Sequence, residues 1–274
     1  MEGIPLDRDF AEALSRDEVP AALRATDSAL RETIVFLRQD AGIPHAELLP
    51  YALPIVVLSK FFHVFPRPRE RSRLLLRRWL WRGALGGRLT GATIGMRQHL
   101  ACIEDENMDE ESSVQRLLQL ADNAPPEDVL RLDRFQFSTA RTKLQCCALA
   151  SLKPRSLLTG EPLELPELLS TSVEEKVTTI LRGKLASDDR ARGLANRMLH
   201  PRIPSPELVR SISMSTDENA LASHAITRDA QRALRERDVV RFLELREYAL
   251  RSMVDRYFGG RLNGVLMIAH LLSQ

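Results

Sequence analysis

The sequence has little of several things, and each shortage excludes a class of protein. Of 274 residues only three are cysteines, Cys102, Cys146 and Cys147. An odd number with one adjacent pair is not a disulfide framework. It also lacks the two close pairs of ligands that a zinc site usually needs. Thiols of this kind suit a reducing cytosol. Aromatic residues make up 5 % of the chain, too few for a stacking platform that holds single-stranded nucleic acid. Apolar runs are short. The longest, Tyr51 to Phe65, is broken by Pro54, Lys60 and His63 and falls short of the ~20 residues of a membrane span. Met1 to Phe10 has no apolar stretch of the kind a secretory signal carries. These absences lead to the expectation of a cytoplasmic protein that does not enter a membrane. Nucleotide-binding P-loops, the dinucleotide fingerprint Gly-x-Gly-x-x-Gly and the nucleophile elbow Gly-x-Ser-x-Gly are all absent.

Apolar residues at 44 % and charged residues at 28 % are those of a globular chain. A formal net charge of +2 does not by itself call for a polyanionic partner. Helical periodicity dominates. Asp17 to Gln39 predicts a helix with Pro20 in its first turn, and Leu23, Leu30, Ile34 and Leu37 on one face. Tyr51 to Phe65, apolar nearly all round, predicts a buried helix. Arg69 to Ala84, Ala92 to Ile103, Ser112 to Ala121 and Ser138 to Leu152 read as further helices, with Gly86-Gly87 and Pro125-Pro126 as breaks. Cys146 and Cys147 sit mid-helix, where burial makes a thiol inert.

After Lys153-Pro154 the character changes. Leu157 to Leu168 reads as a turn with a short extended piece. Val173 to Leu185 predicts a helix capped by Ser172 with Glu175 as its capping-box partner. Arg190 to Leu199 and Thr227 to Arg235 read as short helices, and Asp238 to Tyr257 as a long one. Gly259-Gly260 is the expected stop, and the last dozen residues read as a final apolar helix. No run is strong enough to predict a sheet. The expected fold is therefore mostly α: a helical bundle over residues 1–153 and a second, smaller, less regular α lobe over 154–274.

Charge is distributed unevenly. Only five of the 39 basic residues are lysines. A GC-rich genome favours arginine codons, and arginine also makes bidentate phosphate contacts that lysine does not. Nine arginines and a single acid, Glu70, fall between Arg67 and Arg97. Arg69, Arg73, Arg77, Arg78 and Arg82 are the candidates for a DNA-phosphate-binding face. The alternative is internal pairing with the acidic stretch Glu104 to Glu111, which follows at once. No histidine has metal-type spacing to another histidine or to a cysteine pair, so neither a resident metal nor a cofactor is expected.

Several segments, taken together, resemble a known family. They are Leu48-Leu49-Pro50-Tyr51, Val57 to Phe62, Leu75 to Arg82, Ser113 to Leu118, Ala195 to Pro201, Ala222 to Ile226 and Phe242 to Arg246. In this order they are similar to the region after the N-terminal domain in a bacterial family. That family joins a ParB-like nuclease domain to a helical region and an HNH-type endonuclease region. Its members include modification-dependent restriction systems of the GmrSD type. The resemblance implies a degenerate HNH-like second lobe. HNH chemistry needs a histidine general base on a strand, an asparagine to orient it and a metal ligand on the following helix. Asn196 matches the asparagine, but no histidine lies between His99 and His200.

The resemblance implies a non-catalytic helical module of a restriction or defence-type nuclease system. Its partners would be a separate ParB-like-domain protein and DNA phosphates. That reading predicts exposed apolar surface, for instance on the first helix or on Leu262 to Leu272. One alternative is a divalent-metal-dependent HNH-like endonuclease using Asn196, His200 and His224. Another is a scaffold protein with no nucleic-acid role.

Overall fold

The protein is described by a computed structural model over residues 18–90, 93–104, 109–121, 131–170 and 172–263. The described residues form twelve α-helices and a two-stranded sheet. The fold is mostly α, as the periodicity predicts. Contacts divide the chain into two compact units, one from Met1–Ala41 and Tyr51–Pro125, the other from Gly42–Pro50 and Pro126–Gln274. The sequence places the change of character at residue 153. The contacts group the helix Ala140–Ala150 and the segment Gly42–Pro50 with the later half.

In the first unit, α1 spans Val19–Val35 with Pro20 in its first turn. It continues into a π-helical turn, Phe36–Asp40. Then come α2 (Leu53–Val64), α3 (Glu70–Leu85), α4 (Thr93–Glu104) and α5 (Glu110–Leu120). α1 packs along α2, and α3 against α5. Phe36, on the same face as Ala29 and Thr33, points inward, where its ring lies 5.7 Å from that of Phe62. Asp40, at the end of the π turn, lies beside Arg73. The Arg73 Nη2 donates to Asp40 Oδ2 at 2.6 Å and its Nε to Oδ1 at 3.2 Å. The same guanidinium lies over the Phe36 and Phe62 rings. Trp81 Nε1 donates to the Ala41 carbonyl at the end of the π turn.

Two expectations for this unit are corrected. The α1 face does not bury Leu23, Leu30 and Ile34. Leu23 is 65 % exposed and Ile34 52 %, whereas Ala29 is 5 % and Thr33 1 % exposed. Leu37 alone of the expected stripe is buried. α1 meets α2 through its small residues, because small side chains at a helix contact let the two axes approach. Thr33 supports this approach: its Oγ1 donates to the Ala29 carbonyl and lies 3.2 Å from Ser59 Oγ on α2. The second correction is the start of α5, expected at Ser112: the helix begins at Glu110, and Asp109 caps it, accepting from the Ser112 amide at 2.7 Å. Glu110 and Glu111 fill the first turn, where the helix dipole favours acids.

In the second unit, α6 (Ala140–Ala150) is capped by Thr139. Burial pushes the Cys147 thiol up to about 12 and raises Cys146 as well. The short helices α7 (Leu165–Leu168) and α8 (Val173–Lys176) lead into β1 (Val177–Thr179). β1 pairs antiparallel with β2 (Arg197–Leu199), Val177 opposite Leu199 and Thr179 opposite Arg197. Then follow α9 (Ser205–Met214), α10 (Glu218–Ala222), α11 (Arg228–Arg235) and α12 (Val239–Asn263). Ile180, Leu181, Met198, Leu208, Ile212, Leu221, Phe242 and Leu243 form the core.

Here the periodicity misleads three times. The helix expected over Val173 to Leu185 stops after one turn, and no side-chain bond forms at the Ser172 cap. Val177-Thr178-Thr179-Ile180 is an unbroken β-branched run, which loses rotamer freedom in a helix and fits a strand. Arg190 to Leu199 is not a helix but two 3-10 turns, Asp189–Arg192 and Leu194–Asn196, feeding β2. α12 runs through Gly259-Gly260 to Asn263, carrying Tyr257 and Phe258 into the interior. The expected final helix over 264–272 lies outside the described residues.

At Gly193 a Cβ would strike the Leu132 carbonyl, which already accepts the Leu194 amide at 2.8 Å. Gly193→Ala lowers stability by about 2 kcal/mol through this overpacking. At Gly259 an added Cβ meets nothing within 4 Å, so Gly259→Ala raises stability by up to about 1 kcal/mol, the helix-propensity difference. Urea titration of both variants checks the opposite signs.

Candidate functional site

Asn196, His200 and His224 all lie in the second unit, buried, and each is held by backbone. Asn196 ends the 3-10 turn that leads into β2. Its Oδ1 accepts from the Leu181 amide at 2.7 Å, and its Nδ2 donates to the Leu181 and Ala191 carbonyls, both at 3.0 Å. The amide thereby ties the two ends of the long β1–β2 connection together. His200 follows β2. Its Nε2 accepts from the Leu157 amide, so the proton sits on Nδ1, which donates to the Pro201 carbonyl at 2.8 Å. His224 Nε2–H donates to the Arg155 carbonyl at 2.7 Å. The two imidazoles are neighbours, with ring centroids 5.7 Å apart. Burial lowers the pKa of both, and that of His224 falls to about 3. Both rings are neutral at physiological pH.

The strand that precedes Asn196 carries Val177, Thr178 and Thr179. None of these side chains takes up a proton near neutral pH. Thr178 Oγ1 donates to the His200 carbonyl at 2.9 Å. Among the described residues no group of three His, Cys, Asp or Glu side chains is placed to hold a metal ion.

Arg246 on α12 organises the surroundings. It is completely buried. Its Nε donates to the His224 carbonyl at 3.2 Å, Nη1 to the carbonyls of Leu194 and Ala195, and Nη2 to that of Arg197 at 2.6 Å. Four carbonyl dipoles hold the charge where an acid would be expected. Desolvation, reinforced by nearby Arg197, depresses the Arg246 pKa.

The α3 arginines, in the first unit, have varied surroundings. Arg73 is engaged by Asp40. Arg71 pairs with Glu111 at 3.1 Å, and the Arg69 amide donates to Glu110. The positive charge of Arg69 also lowers the pKa of Asp109, behind that residue's bonds to Ser112. Arg77 and Arg82 also make interactions of their own. Arg78 is half-buried and Arg69 exposed. Acids at the start of α5 thus face the start of α3. The middle of the acidic stretch, 105–108, lies outside the described residues.

The first helix carries exposed apolar surface, as the partner-binding reading expects: Val19, Leu23, Leu30 and Ile34. Periodicity shows the stripe but cannot say which side of a helix meets its neighbour. Sequence pattern gives no signal for a pair of polar hollows in the second unit. One, of about 270 Å³, is lined by Asp133, Arg134, Asp189, Arg190 and Arg192. The other, of about 200 Å³, lies beside β1 and is lined by Glu174, Glu175, Val177, Thr178, Arg182 and Arg202. Both mix the two signs of charge.

No family model, no curated protein and no solved structure matches the chain.

The buried histidines give this unit an acid-sensitive stability. Unfolded, His224 titrates near 6.5; folded, it stays neutral down to about 3. Below pH 6.5 the unfolded chain takes up a proton that the folded chain refuses, so stability falls with pH. Between pH 7.5 and 5 His224 alone accounts for about 2 kcal/mol. Thermal melts at the two pH values check this, and His224→Gln, which keeps a donor without titrating, flattens the slope. Arg246→Met strips four carbonyls of their donor and costs on the order of 4 kcal/mol, read as early loss of second-unit amide protection in hydrogen exchange.

Proposed function

We propose that this chain is a non-catalytic helical module of a bacterial restriction or defence-type nuclease system, cytoplasmic, and that it works by binding a partner protein. The observation that carries the reading is the inverted α1 helix. Its small residues face α2, while Leu23, Leu30 and Ile34 face outward. Bulky apolar side chains repeated along one exposed helix face are a docking surface, because covering them recovers hydrophobic free energy. The partner the resemblance implies is a separate ParB-like-domain protein.

The non-catalytic half of the proposal rests on the polar residues of the second unit. Asn196 and His200 spend their side-chain polar atoms on backbone groups, and His224 gives its Nε2–H to the Arg155 carbonyl. β1 offers no general base. A contact with DNA phosphates would draw on Arg69 and Arg78, since Arg73 is bound to Asp40.

Sedimentation velocity of the chain mixed with the ParB-like-domain protein of such a system tests the reading. The expected result is a one-to-one complex that Leu23→Ser/Ile34→Ser abolishes without lowering the melting temperature, and no cleavage of duplex DNA with magnesium. Absence of any complex overturns the partner role. Metal-dependent cutting, lost in Asn196→Ala, overturns the non-catalytic role.

A further inference from the structure

The exposed α1 face is bordered by charge on one side only. Arg24 and Arg31 lie one heptad apart along the same edge of the Leu23–Leu30–Ile34 stripe, and Arg38 is exposed just beyond Ile34. Arg31 is paired, with Asp27 at 2.7 Å, but both side chains are largely in water, where such a pair is worth little and exchanges readily. Arg24 and Arg38 have no carboxylate partner among the described residues. The opposite edge of the stripe holds Thr26 and then turns into the buried small-residue side at Ala29 and Thr33. Val19 to Ile34 spans about 22 Å of helix, the length over which a docked helix makes three to four turns of contact.

Building on the partner-binding reading, we infer that the occupant of this face is an amphipathic helix of a partner protein whose apolar ridge is flanked by carboxylates on the side that meets Arg24 and Arg31. The apolar ridge covers Leu23, Leu30 and Ile34, and the carboxylates meet Arg24, which no carboxylate among the described residues engages, and Arg31, whose water-exposed pair with Asp27 exchanges readily. Charge of the right sign at the edge of an apolar interface sets orientation and association rate more than affinity. A second copy of α1 does not meet this requirement. The acid flanking its stripe is Asp27, already beside Arg31, and antiparallel pairing would set one arginine row against the other. A membrane surface is a poorer fit, because the face carries none of the aromatic side chains that anchor interfacial helices.

The test uses the full chain and three fluorescein-labelled synthetic helical peptides of equal length. One has a leucine ridge flanked by glutamates, one the same ridge flanked by lysines, and one the glutamate flanks with serines for the leucines. The glutamate-flanked peptide is expected to bind at least tenfold more tightly than the lysine-flanked one, and more weakly as salt rises. The serine peptide should not bind. Arg24→Glu/Arg31→Glu should reverse the preference, and Leu23→Ser/Ile34→Ser should remove it. Equal binding of both charge variants, no reversal in the arginine variant, or no peptide binding overturns the inference. So does self-association of the chain that Leu23→Ser/Ile34→Ser removes, or sedimentation with phosphatidylserine vesicles. Peptide failure beside a ParB-like-domain complex lost in the leucine variant sinks the acidic helix alone. Failure of that complex while the charge switch holds sinks the system assignment alone.

Discussion

The second unit depends on one buried guanidinium. Arg246 reaches from α12 to four carbonyls on two separate stretches of chain: Leu194, Ala195 and Arg197, where the last 3-10 turn runs into β2, and the corner at His224. A buried charge is tolerated only when polar groups replace the water it has lost. Irregular backbone has carbonyls to spare, because its turns do not pair every acceptor within a ladder. The guanidinium fork and the irregular turns therefore need each other. The corner it grips includes Ala225 at φ 55°, a left-handed conformation that costs a non-glycine residue about 1 kcal/mol or more. That corner is held in place by bonds such as the one from Arg246 to the preceding carbonyl.

The same logic explains why residues of catalytic type line this unit. Asparagine and histidine offer several donors and acceptors in a small volume. A long connection between two short strands, with few backbone partners of its own, needs such groups to close it. Asn196 bridges Leu181 and Ala191, and His200 and His224 pin the 155–157 segment. The depressed histidine pKa values follow from this burial. Perturbed titration marks a functional candidate only when the group also faces a place where a substrate could sit.

In the first unit the governing constraint is the distance between helices. α1 can lie close to α2 only by offering Ala29 and Thr33 as its contact. The bulky residues must then point elsewhere. A π turn, Phe36–Asp40, ends the helix. Phe36, three residues after Thr33, continues the buried face into that turn, and Asp40 at its end meets Arg73, so the end of the helix is buried although its middle presents leucine and isoleucine to solvent.

Local chemistry settled much of this in the sequence. Proline in the first helical turn, the mid-helix cysteines and the helical class all follow from short-range sterics and hydrogen bonding that neighbouring residues decide among themselves. The β-branched run Val177 to Ile180 was legible too, but it was outweighed by the helical periodicity around it. What tertiary structure decided were the choices between faces and partners. Whether Leu23 or Ala29 meets α2, whether Arg73 meets a phosphate or Asp40, and whether Asn196 serves chemistry or a loop all depend on residues distant in the chain. A helix pattern fixes which side chains share a face, whereas only packing between elements fixes what that face sees.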